Sequence, residues 1–221
     1  MIFHFKIALF YMLAVLGSET LRADLLDTRL QDLTITIPGH VRGLMGVPPG
    51  HKDTIYHLKG INFITSSVNG VHTKYSTNFS PPPSWSANAM SDPFKIIEYL
   101  GYLQKQGDTA GVLQLVEPTA DKSILPMLTR EDVIKSVAHI YGNASGLDIL
   151  LAVKDTDKLI IYYSVRSSDG PTLQMDELDK IGPLYYLRVQ QPKAGDVIPV
   201  NIFTALYGVV NGTAPDVTIT P

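Results

Sequence analysis

The sequence predicts an α+β fold: three helices packed on a mostly antiparallel curved sheet, with an additional N-terminal β-hairpin. Three observations carry this. Runs rich in Ile, Val, Thr, Tyr and Phe flank Asn69-Gly70, a strong short-range hairpin signal. Between residues 92 and 142, apolar side chains recur at helical spacing in three stretches bounded by capping residues, Gly or Pro. Strand-like runs then follow one another across short turns, and short turns join antiparallel strands.

The chain opens with Lys6, the apolar run Ile7 to Leu16, and Leu21-Arg22-Ala23. That order predicts a cleavable signal over residues 1–23 and a mature chain beginning near Asp24. The run is roughly half the ~20 apolar residues a spanning helix needs, so no transmembrane anchor is expected. The expected product is exported, periplasmic or extracellular. It contains no Cys, so no disulfide supports the fold and no lipidated cysteine anchors it. About 198 mature residues can bury about 70% of their unfolded surface, enough for an ordinary core. Cleavage takes the net charge from −3 to about −4. With no Lys/Arg cluster, nucleic acid is not an expected partner.

Residues 24–53 read as an extension and loop, since Gly39, Gly43, Gly46, Pro48, Pro49 and Gly50 crowd its second half. Within it Leu33 to Ile37 alternates weakly. Residues 54–80 read as the hairpin, with Val68 facing Val71, Ser66 facing Thr73 and Ile64 facing Tyr75. One face then gathers Tyr56, Leu58, Ile64, Val68, Val71, Tyr75 and Phe79. Pro81-Pro82-Pro83 ends it, and 81–91 reads as a linker to an α+β domain over 92–221. Residues 54–221 are expected to fold as one unit.

The first helix starts at Ser91 or Asp92 with Pro93 in its first turn, and carries Phe94, Ile97, Leu100 and Leu103. Gly107-Asp108 breaks it and opens a shorter helix that Glu117-Pro118 stops. Thr129 is the expected cap of the third, whose first turn holds Glu131 and Asp132. Leu147 to Val153 and Leu159 to Val165 then form a hairpin, and Leu184 to Val189 another strand. Val197 to Leu206 and Val217 to Thr220 are weaker strand candidates. Met175 to Lys180 reads as a helical turn or an irregular edge.

Motifs for easy chemistry are lacking. Gly142-Asn143-Ala144-Ser145-Gly146 puts Ser one position late for a nucleophile elbow, and no phosphate loop, dinucleotide loop or His-Glu-x-x-His occurs. His40, His51, Asp53, His57 and His72 cluster in sequence, but the hairpin register separates His57 from His72. No metal or other cofactor is expected.

The phrase Leu103 to Leu113 (LQKQGDTAGVL), with the capped helix and strand of Thr129 to Val153, resembles nuclear transport factor 2-like domains. These share a cone-shaped fold with polyketide-cyclase-like and ketosteroid-isomerase-like proteins. The resemblance covers residues 92–191. It implies a pocket between helices and sheet for a small apolar ligand, with Asp, His or Tyr as base or donor. On matching elements lie Tyr99, Tyr102, Tyr141, Tyr163, Tyr186 and Arg188 as pocket candidates, with His139 and Asp148 as candidate catalytic bases. Tyr162, Arg166 and Tyr185 lie on the same strands. An N-terminal hairpin and a segment past Gln191 depart from the minimal pattern.

Both faces of strands 147–153 and 159–165 are apolar, so the second face needs a cover: the hairpin, the C-terminal strands or a homodimer partner. The expected function is a non-catalytic domain binding a small apolar ligand or a protein. An isomerase- or cyclase-like enzyme and a cell-envelope assembly component are the alternatives.

Overall fold

The computed structural model describes residues 26–41, 50–66, 71–79, 81, 90–120, 125–156, 158–189, 197–214 and 216–221. The signal segment, the Asn69-Gly70 turn, and most of the Gly/Pro-rich loop and Pro-rich linker lie outside them.

The strands are β1 (Gln31–Ile37), β2 (Thr54–Asn62), β3 (Ile64–Ser66), β4 (His72–Thr73), β5 (Tyr75–Asn78), β6 (Ala144–Asp155), β7 (Lys158–Ser167), β8 (Gly170–Ile181), β9 (Leu184–Leu187) and β10 (Thr218–Thr220). The helices are α1 (Pro93–Gln106), α2 (Thr109–Leu115), the single turn α3 (Leu125–Leu128), α4 (Glu131–Tyr141) and α5 (Val197–Val210). An eight-stranded antiparallel sheet runs β10-β1-β2-β6-β7-β8-β9, with β5 also paired to β6.

The fold is broadly α+β, but the expected arrangement of three helices and an added hairpin is corrected in two ways. Among the described residues, four helices of at least seven residues lie on both faces of the sheet, and the hairpin is not an appendage. β2 pairs with β6 from Lys59↔Lys154 to Asn62↔Leu151, and β5 continues along the same edge from Tyr75↔Ile149 to Asn78↔Gly146. The short β3–β4 pair is an excursion from one interrupted strand. Its register is Ile64↔Thr73 and Ser66↔His72, shifted from the expected pairing. The expected apolar face is divided accordingly: Tyr75 and Phe79 pack on one core, Tyr56, Leu58, Ile64 and Val71 on the other.

β6 carries the second device. Its register against β7 slips between Ile149↔Tyr163 and Leu151↔Tyr162, a bulge at Leu150. An extra residue reverses the side-chain alternation beyond it. Leu147, Ile149 and Ala152 therefore enter the first core, while Leu150, Leu151 and Val153 enter the second.

The first core lies under α1, α2 and α4, and includes Phe94, Ile97, Leu103, Leu115, Ile161 and Tyr163. Asp92 caps α1 by accepting from the Phe94 N–H, Pro93 occupies its first turn, and Gly107 ends it at φ 68°. The Phe79 ring presses so closely on α1 that a Cβ at Gly101 would lie 2.3 Å from it. Asp108 caps α2 through the Gly111 N–H. Thr129 does not cap α4: its hydroxyl donates to the Pro126 carbonyl, and Arg130 takes the cap position.

The second core is closed by α5. Val197 to Leu206, a weaker strand candidate from the sequence, is instead helical. The buried α5 residues Ile202, Ala205, Leu206 and Val209 fall at i, i+3, i+4 and i+7, which is helical spacing. Pro199 sits in its first turn, where no intrahelical donor is needed. With α5 in place, the apolar second face of β6 and β7 is covered from within the chain, and the reason for expecting a homodimer falls away.

Met175 to Lys180, expected as a helical turn or an irregular edge, is instead strand, inside β8. Its acids are accommodated by bases on its neighbours: Lys158 Nζ lies 3.0 and 3.1 Å from the Glu177 carboxylate oxygens, and Arg188 grips Asp179 with two 2.8 Å contacts.

Candidate functional site

Helix α4 supplies the first unusual feature. Its apolar residues Val133, Ile134, Val137, Ile140 and Tyr141 make a helical stripe, yet only Tyr141 is buried, and Ile134 is 44% exposed. The stripe faces a cleft of about 300 Å3 between the end of α1, the start of α2, α3 and α4. Leu103, Val112, Leu128, Val133, Ile134 and Val137 make it apolar, while Gln104, Lys105, Asp108 and Thr109 supply its polar atoms. Lys105 Nζ donates to the Ala144 carbonyl at 2.5 Å and ties α1 to β6. Gln104 Oε1 is the buried side-chain polar atom left without a partner among the described residues. An unsatisfied buried acceptor costs about 1–3 kcal/mol.

The second feature is a chain of hydroxyls inside the first core. Tyr141 and Tyr163, both essentially inaccessible, have their hydroxyl oxygens 3.0 Å apart, and the Tyr163 hydroxyl donates to Asp176 Oδ2 at 2.6 Å. With the Tyr163 proton given to Asp176, Tyr141 is the donor to Tyr163. Burial, and then the charge of Asp176, raise the Tyr141 and Tyr163 hydroxyls above the usual tyrosine range. Burial likewise raises the Asp176 carboxyl, only partly opposed by the Tyr163 hydrogen bond. Asp176 keeps some solvent access as a residue although protein surrounds its carboxyl.

The pocket residues expected from the sequence do not converge. Tyr99 is buried in the first core and Tyr102 packs half-buried against it. Tyr141 and Tyr163 meet, but Tyr186 and Arg188 lie elsewhere: Tyr186 is half-buried opposite Asp179, and Arg188 is held by Asp179. His139 is exposed on α4. Asp148 lies on the face of β6 opposite its neighbours Leu147 and Ile149, which enter the first core, and pairs with Arg166 at 2.8 Å. That arginine also donates to Ser76, the Thr77 carbonyl and Asn78, fastening β5 to β6 and β7. Tyr162 donates to the Pro199 carbonyl in the second core, and Tyr185 is buried in the first.

The histidines are scattered. His40 lies 3.4 Å from Asp216, and His57 is 3.4 Å from the Thr34 hydroxyl. Among the described residues no three His, Asp or Glu side chains gather where they could hold a metal ion.

Sequence reasoning missed Asp176 because its segment did not read as a strand. Once it is one, alternation puts Asp176 on the same face as the buried Leu178, which would have marked it. It missed the cleft because α3 has no clear sequence signal.

No family model and no curated protein matches the chain. Among solved structures, a SEC-C motif containing protein from Rhodopseudomonas palustris is similar over 48% of this chain and 81% of its own, at 9% identity and a TM-score of 0.35.

Proposed function

We propose that the chain is an exported binding domain that takes a small apolar molecule with one hydrogen-bond donor into the cleft between α1, α2, α3 and α4. The carrying observation is the apolar stripe of α4, which the chain forms but leaves uncovered over the cleft. A concave site of about 300 Å3 is at the lower end of ligand-pocket sizes. The unpartnered Gln104 oxygen supplies the reason for a donor on the ligand. Residues 1–23 support export.

Calorimetric titration with naphthol, two apolar rings bearing one hydroxyl, tests this. Naphthol is expected to bind with a Kd of about 1 mM or tighter. Val137→Glu, which puts a charge into the cleft, is expected to abolish binding while leaving the fold intact. Equal binding by the variant would reject the cleft.

A second reading, an isomerase- or cyclase-like enzyme, is favoured by the Tyr141–Tyr163–Asp176 chain. In it Asp176, rather than His139 or Asp148, is the carboxyl set among hydroxyl donors. It predicts exchange of α-protons of an enolisable cyclic ketone with solvent deuterium, lost in Asp176→Asn; no exchange by the unmodified protein would dismiss it.

A further inference from the structure

We propose a second binding site, separate from the helical cleft, for a small organic anion with an apolar body. It is a pocket of about 280 Å3 where the β6–β7 turn meets the chain at Leu26 to Leu30. Its floor is apolar: Leu26, Leu159 and Tyr185 belong to the first core, and Leu30 lines the pocket beside them. The pocket lining also includes three lysines, Lys154, Lys158 and Lys180, against one carboxylate, Asp27. Lys154 and Lys158 each have carboxylates against them, so among the described residues the uncompensated positive charge at this pocket is that of Lys180.

The three ammonium groups are not equivalent. Lys158 is fixed by both Glu177 oxygens, with Asp155 at 3.8 Å. Lys154 is held by Asp27 at 3.1 Å. Lys180 has no carboxylate partner among the described residues and lies over the Tyr185 ring, 5.7 Å from its centroid. Asp27 belongs to this pocket and its charge contributes to raising the Tyr185 hydroxyl to about 12, after the larger effect of burial. The turn itself is tight: Thr156 takes φ 53°, and Asp155 pairs with Lys158 across it. Lys154 and Lys158 both line the pocket beside this turn, the Lys158 ammonium being turned to Glu177.

An anionic head placed there would meet Lys180 and compete with Asp27 for Lys154. Its apolar body would cover Tyr185 and the leucines. Charge alone does not use the floor, and an apolar molecule alone does not use the lysines, so the fitting class is a short-chain amphiphile with a carboxylate head.

Octanoate is the probe, titrated by calorimetry against octanol, which has the same body without the charge, and acetate, which has the charge without the body. The expected order is octanoate well ahead of both. Lys180→Gln, at an exposed position, is expected to weaken octanoate about tenfold, the worth of one charge-assisted hydrogen bond. Asp27→Asn is expected to strengthen it several-fold, because it removes the competing carboxylate; a purely structural role for Asp27 would give no gain. The cleft variant Val137→Glu is expected to leave octanoate binding unchanged, so failure here and failure of the cleft are told apart. Thermal melts of each variant establish that it is folded. The proposal is overturned if octanoate does not bind below about 10 mM, if octanol binds as well, if Lys180→Gln has no effect, or if Asp27→Asn weakens binding.

Discussion

Helices α5 and α4 both carry apolar stripes, but on opposite faces of the sheet they end differently. α5 buries Ile202, Ala205, Leu206 and Val209 against β7, β8 and the β1–β2 pair. α4 buries Tyr141 and leaves Val133, Ile134 and Val137 half-covered or exposed. The difference extends beneath them. The core under α5 satisfies its buried hydroxyls on the helix backbone: Tyr162, fully buried, donates to the Pro199 carbonyl and Thr204 to the Val200 carbonyl. The core under α4 holds a carboxyl and two hydrogen-bonded phenols. One face is closed by its helix, and the other leaves the apolar stripe of α4 uncovered over the cleft.

The largest effect should come from the closed face. Leu206→Ala is expected to cost about 2–5 kcal/mol, the range for truncating a fully buried leucine, read as a shifted midpoint in denaturant unfolding. A cost under about 1 kcal/mol would show that α5 does not seal this core. On the other face Tyr163→Phe should cost about 1–3 kcal/mol, because it leaves both Tyr141 and Asp176 without their partner. The same measurement applies, and a neutral result would mean the hydroxyl chain is not a unit.

Asp176 gives a pH signature. Its folded carboxyl titrates above the ordinary value of 3.8 because of burial, so the folded state holds the proton longer than the unfolded chain. The stability this contributes is present below the ordinary carboxylate value and lost as pH rises through the folded value. Relative to Asp176→Asn, the unmodified protein is therefore expected to lose stability with rising pH across that window. Parallel profiles for the two proteins would remove Asp176 as a perturbed group. The smallest effect belongs to the cleft: Ile134→Lys, at a position 44% exposed, should change stability by no more than about 0.5 kcal/mol while eliminating naphthol binding. A loss of several kcal/mol would mean that Ile134 serves the fold rather than a ligand.

Much of this was written locally in the chain. Caps and breakers mark α1 and α2, and short apolar runs on either side of Asp155-Thr156-Asp157 mark β6 and β7, because each depends on neighbouring residues. Three features depended on partners far away in sequence. The acids of β8 suit a strand only because Lys158 and Arg188 stand beside them. β2 and β5 look like a hairpin until β6, far along the chain, captures both, from Lys59↔Lys154 to Asn78↔Gly146. The bulge at Leu150 leaves no Gly or Pro to announce it, and it exchanged the faces of the residues that follow. Of the candidate site, Tyr141 and Tyr163 were legible from alternation and spacing. Asp176 and the cleft were not, since each is made by elements whose positions only packing sets.

The most direct test is methyl NMR of the unmodified protein during naphthol titration. Shifts confined to Leu103, Val112, Leu128, Val133, Ile134 and Val137, with Ile160, Leu206 and Val209 unmoved, are the expected result. Equal shifts on both faces, or none at the cleft methyls, would contradict the assignment of one face to binding and the other to closure.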